Sequence, residues 1–317
     1  MFALAAGLMW GLVFVAPLLL PQYPAALQSF GRYLAFGLIA LPLAWWDRRR
    51  LAQLQRADWL EALKLALVGN IVYYLFLASA IQHAGAPLPT LIIGTLPVVI
   101  ALASRALAGA GEVQLPWQRL LPSLLLIGAG LALVNQAEAQ ALRAGGTFEP
   151  QRHALGALLA VAAVACWTWY PIRNARWLRA HPGRSARVWA TAQGLATLPV
   201  AAAGYALFWV WTAGAATGFA MPLGPTPGLY LGLMLSIGLF ASWLGTLCWN
   251  EASQRLPPAL SSQLIVFETL SALAYAFLLR QQWPAWPVAL GIALLIAGVC
   301  WAVRAAAAPL LPEGAPH

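Results

Sequence analysis

Ten apolar segments, each about as long as a bilayer is thick, follow one another through this chain, and little is left between them. Their limits are 2–20, 27–46, 60–82, 86–108, 117–135, 154–173, 187–211, 228–250, 257–279 and 285–303. A helix needs roughly 20 mostly apolar residues to cross the hydrocarbon core, since each residue adds about 1.5 Å. In that solvent every peptide group must find its partner inside the protein. The segments are too long for tilted strands of about ten residues, so the expected class is an all-α membrane protein with ten transmembrane helices. Composition agrees: of 317 residues, 62% are hydrophobic and 9% charged, against roughly 25% charged in a soluble domain. The longest connections, 135–153, 174–186 and 212–227, cannot hold a soluble domain. A count of nine or eleven would follow from reading the weakly polar 212–227 stretch differently. The opening stretch MFALAAGLMWGLVFVAPLLL lacks a basic leader region and a cleavage site, and reads as the first membrane helix.

Charge sets the orientation. With a cytoplasmic N-terminus, inside loops hold Arg48, Arg49, Arg50, Arg56, Arg105, Arg119, Arg173, Arg176, Arg179, Arg184, Arg187, Arg255 and Arg304, and outside loops hold Arg143, Arg152 and Arg280. Basic residues gather on the cytoplasmic side of membrane proteins. This split places both termini in the cytoplasm and favours an even helix count. The net charge of +9 is therefore a topology signal rather than a nucleic-acid footprint. Trp45, Trp46, Trp59, Trp117, Trp283 and Trp286 sit where interfacial belts are expected.

One stretch repeats. Gly69 to Pro97 reads as the end of an apolar helix, a polar elbow (Gln82, His83, Gly85, Pro87, Pro89) and the start of another helix. Shifted by 172 residues, Ala241 to Thr269 has the same layout, with Leu75, Ala80, Gln82, Leu88 and Ile93 falling on Leu247, Ala252, Gln254, Leu260 and Ile265. Gly130 and Gly298 occupy like places in helices 5 and 10. Five helices per half is an odd number, so the second half must enter the membrane upside down. The expected domains are a first repeat over 1–140, an inverted second repeat over 153–304 and a short cytoplasmic tail over 305–317. An acidic linker with Glu138, Gly145, Gly146 and Glu149 joins the halves outside. The elbows at Gln82 and at Gln254–Pro258 become mirror-image hinge candidates, one per face.

At this point the chain resembles a known family. The ordered set GLMWGLVFVAP, LQSFGRYLAFGLIAL with Arg32, LIIGTLPVVIAL with Pro97, GALLAVAAVACWTWYPIRNAR, VFETLSALAYAFLL with Glu268 and VALGIALLIAGVCWAV is similar to EamA-type members of the drug/metabolite transporter superfamily. The resemblance implies a 5+5 helix plan and solute transport across the bacterial inner membrane. Within that group, the aromatic-rich interior resembles YddG-type amino-acid exporters. Family helix 9 usually has Pro after the Glu, and here Thr269 stands there, which puts the kink of that helix in question.

Ionisable and polar groups within spans point to the site. A charge at the bilayer centre costs roughly 2.5–3.5 kcal/mol on insertion scales. Glu268, near the middle of helix 9, either lines a cavity to bind a substrate amine or a proton, or anchors hydroxyls such as those of Ser271 or Thr95. Arg32, a turn or two inside helix 2, either snorkels to the surface, or meets a substrate carboxylate or pairs with Glu268. Lys64, with Asp58 and Glu61, reads as an interfacial anchor. His83 is a loop hydrogen-bonder or a pH-responsive group. Asn70, Asn250, Gln193 and Gln263 suit bonds between helices. Deep aromatics, taken as a set, offer flat apolar walls with a few polar handles, although each ring alone is equally a packing residue. The substrate-binding candidates are Trp10, Asn70, Tyr73, Tyr74, His83, Trp167, Tyr170, Trp243, Trp249, Gln263 and Glu268. Gly7 with Gly11, and Gly228 with Gly232, have the spacing that lets helices approach closely. Pro17, Pro42, Pro97, Pro122 and Pro199 are candidate kinks.

No HExxH, Gly-x-Ser-Gly or paired-Asp motif supports an intramembrane enzyme, and no nucleotide-binding Gly-rich loop supports ATP-driven pumping. Cys166, Cys248 and Cys300 lie in apolar runs without metal-ligand spacing. No cofactor or metal is expected. The function expected is a secondary active or facilitative transporter, exporting aromatic or hydrophobic amino acids or similar small metabolites by alternating access. The alternatives are a different metabolite or drug class, or a non-transporting scaffold or receptor. The expected partners are a small-molecule substrate, the lipid bilayer and, for a coupled mechanism, protons. The chain would be a monomer or a weak dimer.

Overall fold

A computed structural model describes residues 1–85, 87–107, 116–144, 149–215, 218–256, 258–281 and 283–307. The linker glycines Gly145 and Gly146, and 308–317 of the tail, lie outside them. Every regular element among the described residues is helical. We name the helices in chain order: α1 (Phe2–Leu19), α2 (Ala25–Trp46), α3 (Arg56–Ala84), α4 (Pro87–Ile93 and Leu96–Ala106), α5 (Trp117–Ala144), α6 (Pro150–Ala180), α7 (Ala186–Gly214), α8 (Pro227–Arg255), α9 (Pro258–Leu264 and Val266–Arg280) and α10 (Trp286–Ala307). Six of these, α1, α2, α3, α6, α7 and α8, are long and apolar enough to cross a membrane, and shorter apolar helices lie within α4, α5, α9 and α10. The belt tryptophans Trp45, Trp46, Trp283 and Trp286 are exposed.

Several helices depart from regular geometry. α1 tightens to a 3₁₀ stretch at Gly11–Phe14, and α3 and α8 widen to π-helix at Ala66–Val72 and Gly238–Leu244. The two π segments are 172 residues apart. α4 and α9 each break after a first piece of 7 residues. In α4 the second piece opens with Pro97, whose missing N–H costs nothing in a first turn. α9 breaks at Ile265 without the family's proline.

Packing follows a paired plan. α1 lies against α8 and α9, and α6 lies against α3 and α4; α2 pairs with α7, and α5 with α10. Small residues set the closest approaches. A Cβ on Gly11 would fall 2.8 Å from the backbone nitrogen of Ala272 in α9, so this glycine is what lets the two backbones touch. A Cβ on Gly130 would fall 2.7 Å from the Gly291 carbonyl where α5 crosses α10. The Gly228–Gly232 pair does not work this way: both face open space, so the second spacing match is not a helix contact.

The two elbows staple helix starts. Gln82 donates to the Tyr23 carbonyl at 2.6 Å and accepts from the Ala25 amide at 3.2 Å, at the start of α2. Gln254 donates to the Arg184 carbonyl at 3.0 Å, just before α7. At the first elbow Gly85 has φ of 73°, a conformation that side chains other than glycine's adopt at a cost.

Candidate functional site

The centre of the molecule is a ring cluster drawn from α1, α3, α6 and α8. Trp167 stacks on Tyr73 (centroids 4.8 Å apart) and on Tyr170 (4.9 Å), and meets Trp10 edge to face at 5.0 Å. Trp10 in turn lies 5.1 Å from Trp249. Two glycines make room: a Cβ on Gly69 would strike the Tyr170 ring at 2.1 Å, and one on Gly245 would fall 2.7 Å from Trp10 Nε1. Such contacts are favourable beyond area burial by about 0.5–1.5 kcal/mol per pair.

Two buried ionisable side chains, on α2 and α9, neighbour this cluster. Arg32 is 4% exposed, so it does not snorkel. Its guanidinium packs 4.8 Å from the Tyr33 centroid and 4.7 Å from that of Tyr74, and its Nε donates to Ser242 Oγ at 3.0 Å. Ring faces and one hydroxyl hold the cation, and they hold it because the π segment of α8 presents Ser242 inward. Glu268, 3% exposed, faces Arg32, Tyr73 and Trp167. The hydroxyls named as its alternative anchors are committed elsewhere: Ser271 donates to the Phe267 carbonyl at 2.7 Å and Thr95 to the Ile92 carbonyl at 2.6 Å.

What distinguishes this centre is its unfinished hydrogen bonding. Arg32 Nη1, Asn70 Nδ2, Tyr73 OH, Trp167 Nε1, Trp249 Nε1 and Glu268 Oε2 are buried without a partner among the described residues. A buried polar group left unpaired costs roughly 1–3 kcal/mol. A cluster of them, mostly donors with one carboxylate oxygen, is complementary to a small polar guest.

Not every residue singled out from sequence joins the cluster. Tyr74 meets Arg32 and reaches the Val13 carbonyl only at 3.4 Å. Trp243 turns to α7, donating to Thr191 Oγ1 at 3.2 Å. Gln263 turns to α5, where its Oε1 lies 3.2 Å from Ser123 Oγ. His83 bonds back to the Ser79 carbonyl at 2.8 Å, and ten residues of helix put it about 15 Å from Tyr73.

A second polar region joins amides that lie far apart in the sequence. Tyr170 donates to Gln193 Oε1 at 2.9 Å; Gln193 and Trp189 donate to Asn174 Oδ1 at 3.1 and 2.8 Å; Asn174 donates to Asn250 Oδ1 at 2.8 Å. Asn174 lies four residues after Tyr170, one face of one helix, and that spacing was the available signal. Around one end of the bundle, carboxylates of the first half meet donors of the second. Asp47 pairs with Arg187 at 2.5 Å, Glu61 pairs with Arg173, and Asp58 accepts from Trp177 Nε1 at 3.1 Å. At the other end Tyr23 stacks on Tyr230 at 5.0 Å.

Comparison with known proteins identifies the group. The sequence profile described as the EamA-like transporter family matches residues 1–136. The "Inner membrane protein YtfF" of Escherichia coli (strain K12) is 53% identical over 306 residues, covering 96% of this chain and 94% of that protein. The chain belongs to the EamA-like transporter family. A crystal structure of a protein 18% identical superposes with a TM-score of 0.70, covering 96% of this chain and 97% of that one. At that identity the likeness speaks for the fold. As an EamA-family chain, this is a membrane transporter of the drug/metabolite superfamily.

Proposed function

We propose that the chain carries small amphiphilic metabolites outward across the bacterial inner membrane, aromatic or hydrophobic amino acids first among them, as a secondary active or facilitative transporter. The observation that carries this reading is the set of buried, unpaired polar atoms set among stacked rings. Glu268 suits a substrate ammonium, Arg32 Nη1 suits a carboxylate, and Trp10, Tyr73 and Trp167 suit an apolar or aromatic side chain.

Alternating access between two inverted five-helix repeats, 1–140 and 153–304, is the mechanism we propose. Support comes from features that recur at equivalent places. The π segments recur at 172 residues, both α4 and α9 are broken, and each elbow glutamine staples the start of its own repeat's second helix. The packing pairs are those a two-fold axis would exchange. The Gly130–Gly291 approach has its counterpart in Gly298 against Ser123, each shifted by 168 residues. Both termini would then be cytoplasmic, with the Asp47–Arg187 and Glu61–Arg173 pairs as the inner closure and the Tyr23–Tyr230 stack as the outer one.

Counterflow in proteoliposomes tests the reading. Vesicles loaded with unlabelled phenylalanine or leucine should accumulate the labelled amino acid, and aspartate should compete poorly. Correctly folded protein that exchanges no neutral amino acid would remove the substrate class, and a Glu268→Gln, Arg32→Met double variant that exchanges like wild type would remove the site.

A further inference from the structure

One surface of the bundle is charged beyond what closes it. At the end of α2, a cleft of about 370 Å³ is lined by Trp46, Asp47, Arg48, Arg49, Arg50 and Arg187. A second, of about 360 Å³, is lined by Arg50, Gln53, Gly183, Arg184, Ser185 and Val188. Arg50 lines both, so the clefts adjoin. Together they hold five arginines and one carboxylate, and that carboxylate, Asp47, is buried and already bound to Arg187 at 2.5 Å. Some exposed arginines elsewhere pair with acids, as Arg255 does with Glu251 and Arg152 with Glu149. Arg49 and Arg50 have no carboxylate partner among the described residues. The second cleft also opens on the first turn of α7, whose backbone amides favour an anion.

The apolar surroundings choose between a soluble anion and a lipid. Trp45 and Trp46 are 73% and 82% exposed, and Arg48 packs 4.9 Å over the Trp45 ring while donating to its carbonyl at 3.0 Å. Exposed tryptophans and arginines at one level mark the headgroup zone. Leu38, Leu41 and Trp45 are exposed on one face of α2 at helical spacing, which makes an apolar lane running from the hydrocarbon to the clefts. We propose that these joined clefts bind the phosphate headgroup of one anionic phospholipid, its acyl chain lying along Leu38 and Leu41. The site rests on the chain spanning a membrane and not on which solute it carries.

Native mass spectrometry of the detergent-solubilised protein, titrated with phosphatidylglycerol, phosphatidylcholine or inorganic phosphate, tests this. One phosphatidylglycerol should be retained per chain, with no comparable retention of phosphatidylcholine. An Arg49→Gln, Arg50→Gln variant should bind it about 30-fold more weakly, since each basic group near an anionic surface contributes on the order of a factor of five. An Arg56→Gln, Arg304→Gln variant removes the same charge from exposed positions outside the clefts and should bind normally. Both pairs are exposed, and melting in zwitterionic micelles checks that each variant is folded. Equal loss in the two variants would mean diffuse surface charge and would overturn the site. Equal binding of phosphatidylcholine would overturn it too, as would displacement of the lipid by inorganic phosphate at constant ionic strength, which would assign the clefts to a soluble anion.

Discussion

The amide chain of α6, α7 and α8 and the ring cluster of α1, α3, α6 and α8 share Tyr170 and are made of similar side chains, but only the amide chain closes its hydrogen bonds. Asn174 uses both ends of its amide, accepting from Trp189 and Gln193 and donating to Asn250, and Asn250 passes a bond of 3.3 Å to the Ala186 carbonyl. In the ring cluster Arg32, Asn70, Tyr73, Trp167, Trp249 and Glu268 each keep a buried polar atom open. Folding alone would select closed bonding in both, because an unpaired buried group destabilises the fold while a paired one holds helices in register. On the proposed function, the open region is kept for a guest and the closed one is the frame that holds it.

The sharpest break of that comparison lies in the frame. Asn174→Leu leaves Trp189 Nε1, Gln193 Nε2 and Asn250 Oδ1 without their partner. Interhelical bonds in membranes average about 0.6 kcal/mol and reach about 1.7, so a loss of roughly 2–5 kcal/mol is expected. Thermal unfolding in detergent should show it, with transport per folded molecule nearly unchanged. Next comes Glu268→Gln, which removes a charge from the open region. Stability should hold or rise, since a buried unpaired carboxylate is costly. Uptake of a neutral amino acid should fall about 30-fold, the worth of one charge-assisted bond of about 2 kcal/mol. If Glu268 also carries the proton, pH-driven uptake should vanish while exchange persists; unchanged pH dependence would take it out of that role. Smaller again is Trp167→Phe. The stack on Tyr73 survives and the open Nε1 is lost, so KM for substrate should rise about 5-fold, or about 1 kcal/mol, with melting temperature unmoved.

How far these regions could be read from sequence follows from the range of the forces involved. Span length is local, and it delimited the helices to within a few residues; α6 and α5 run further only because their ends extend past the apolar stretch. The family's helix-9 glutamate, the rings at Trp10 and Trp167 and the glycines of α1 were legible for the same reason. Arg32 stayed open between the surface and the interior, because its place depends on Ser242, 210 residues away. Trp243 and Trp249 share a helix, but the π segment ending at Leu244 turns one towards Thr191 and leaves the other on Trp10. The break at Ile265 has no proline to announce it.

Tyr170 belongs to both regions, and its hydroxyl separates their roles. Its ring stacks on Trp167 in the open region, and its OH donates to Gln193 in the closed one. Tyr170→Phe keeps the first contact and deletes the second. Gln193 Oε1 then loses its donor, and stability should drop by about 0.6 kcal/mol. If the two regions are independent, substrate affinity should stay within about 2-fold, since no group facing the guest has changed. A drop in affinity as large as that of Trp167→Phe would show that the frame sets the angle of the rings through this one bond. In that event the unpaired atoms of Asn70, Trp167 and Glu268 would depend on the amide chain for their positions, and the division into frame and open site would give way to one coupled network.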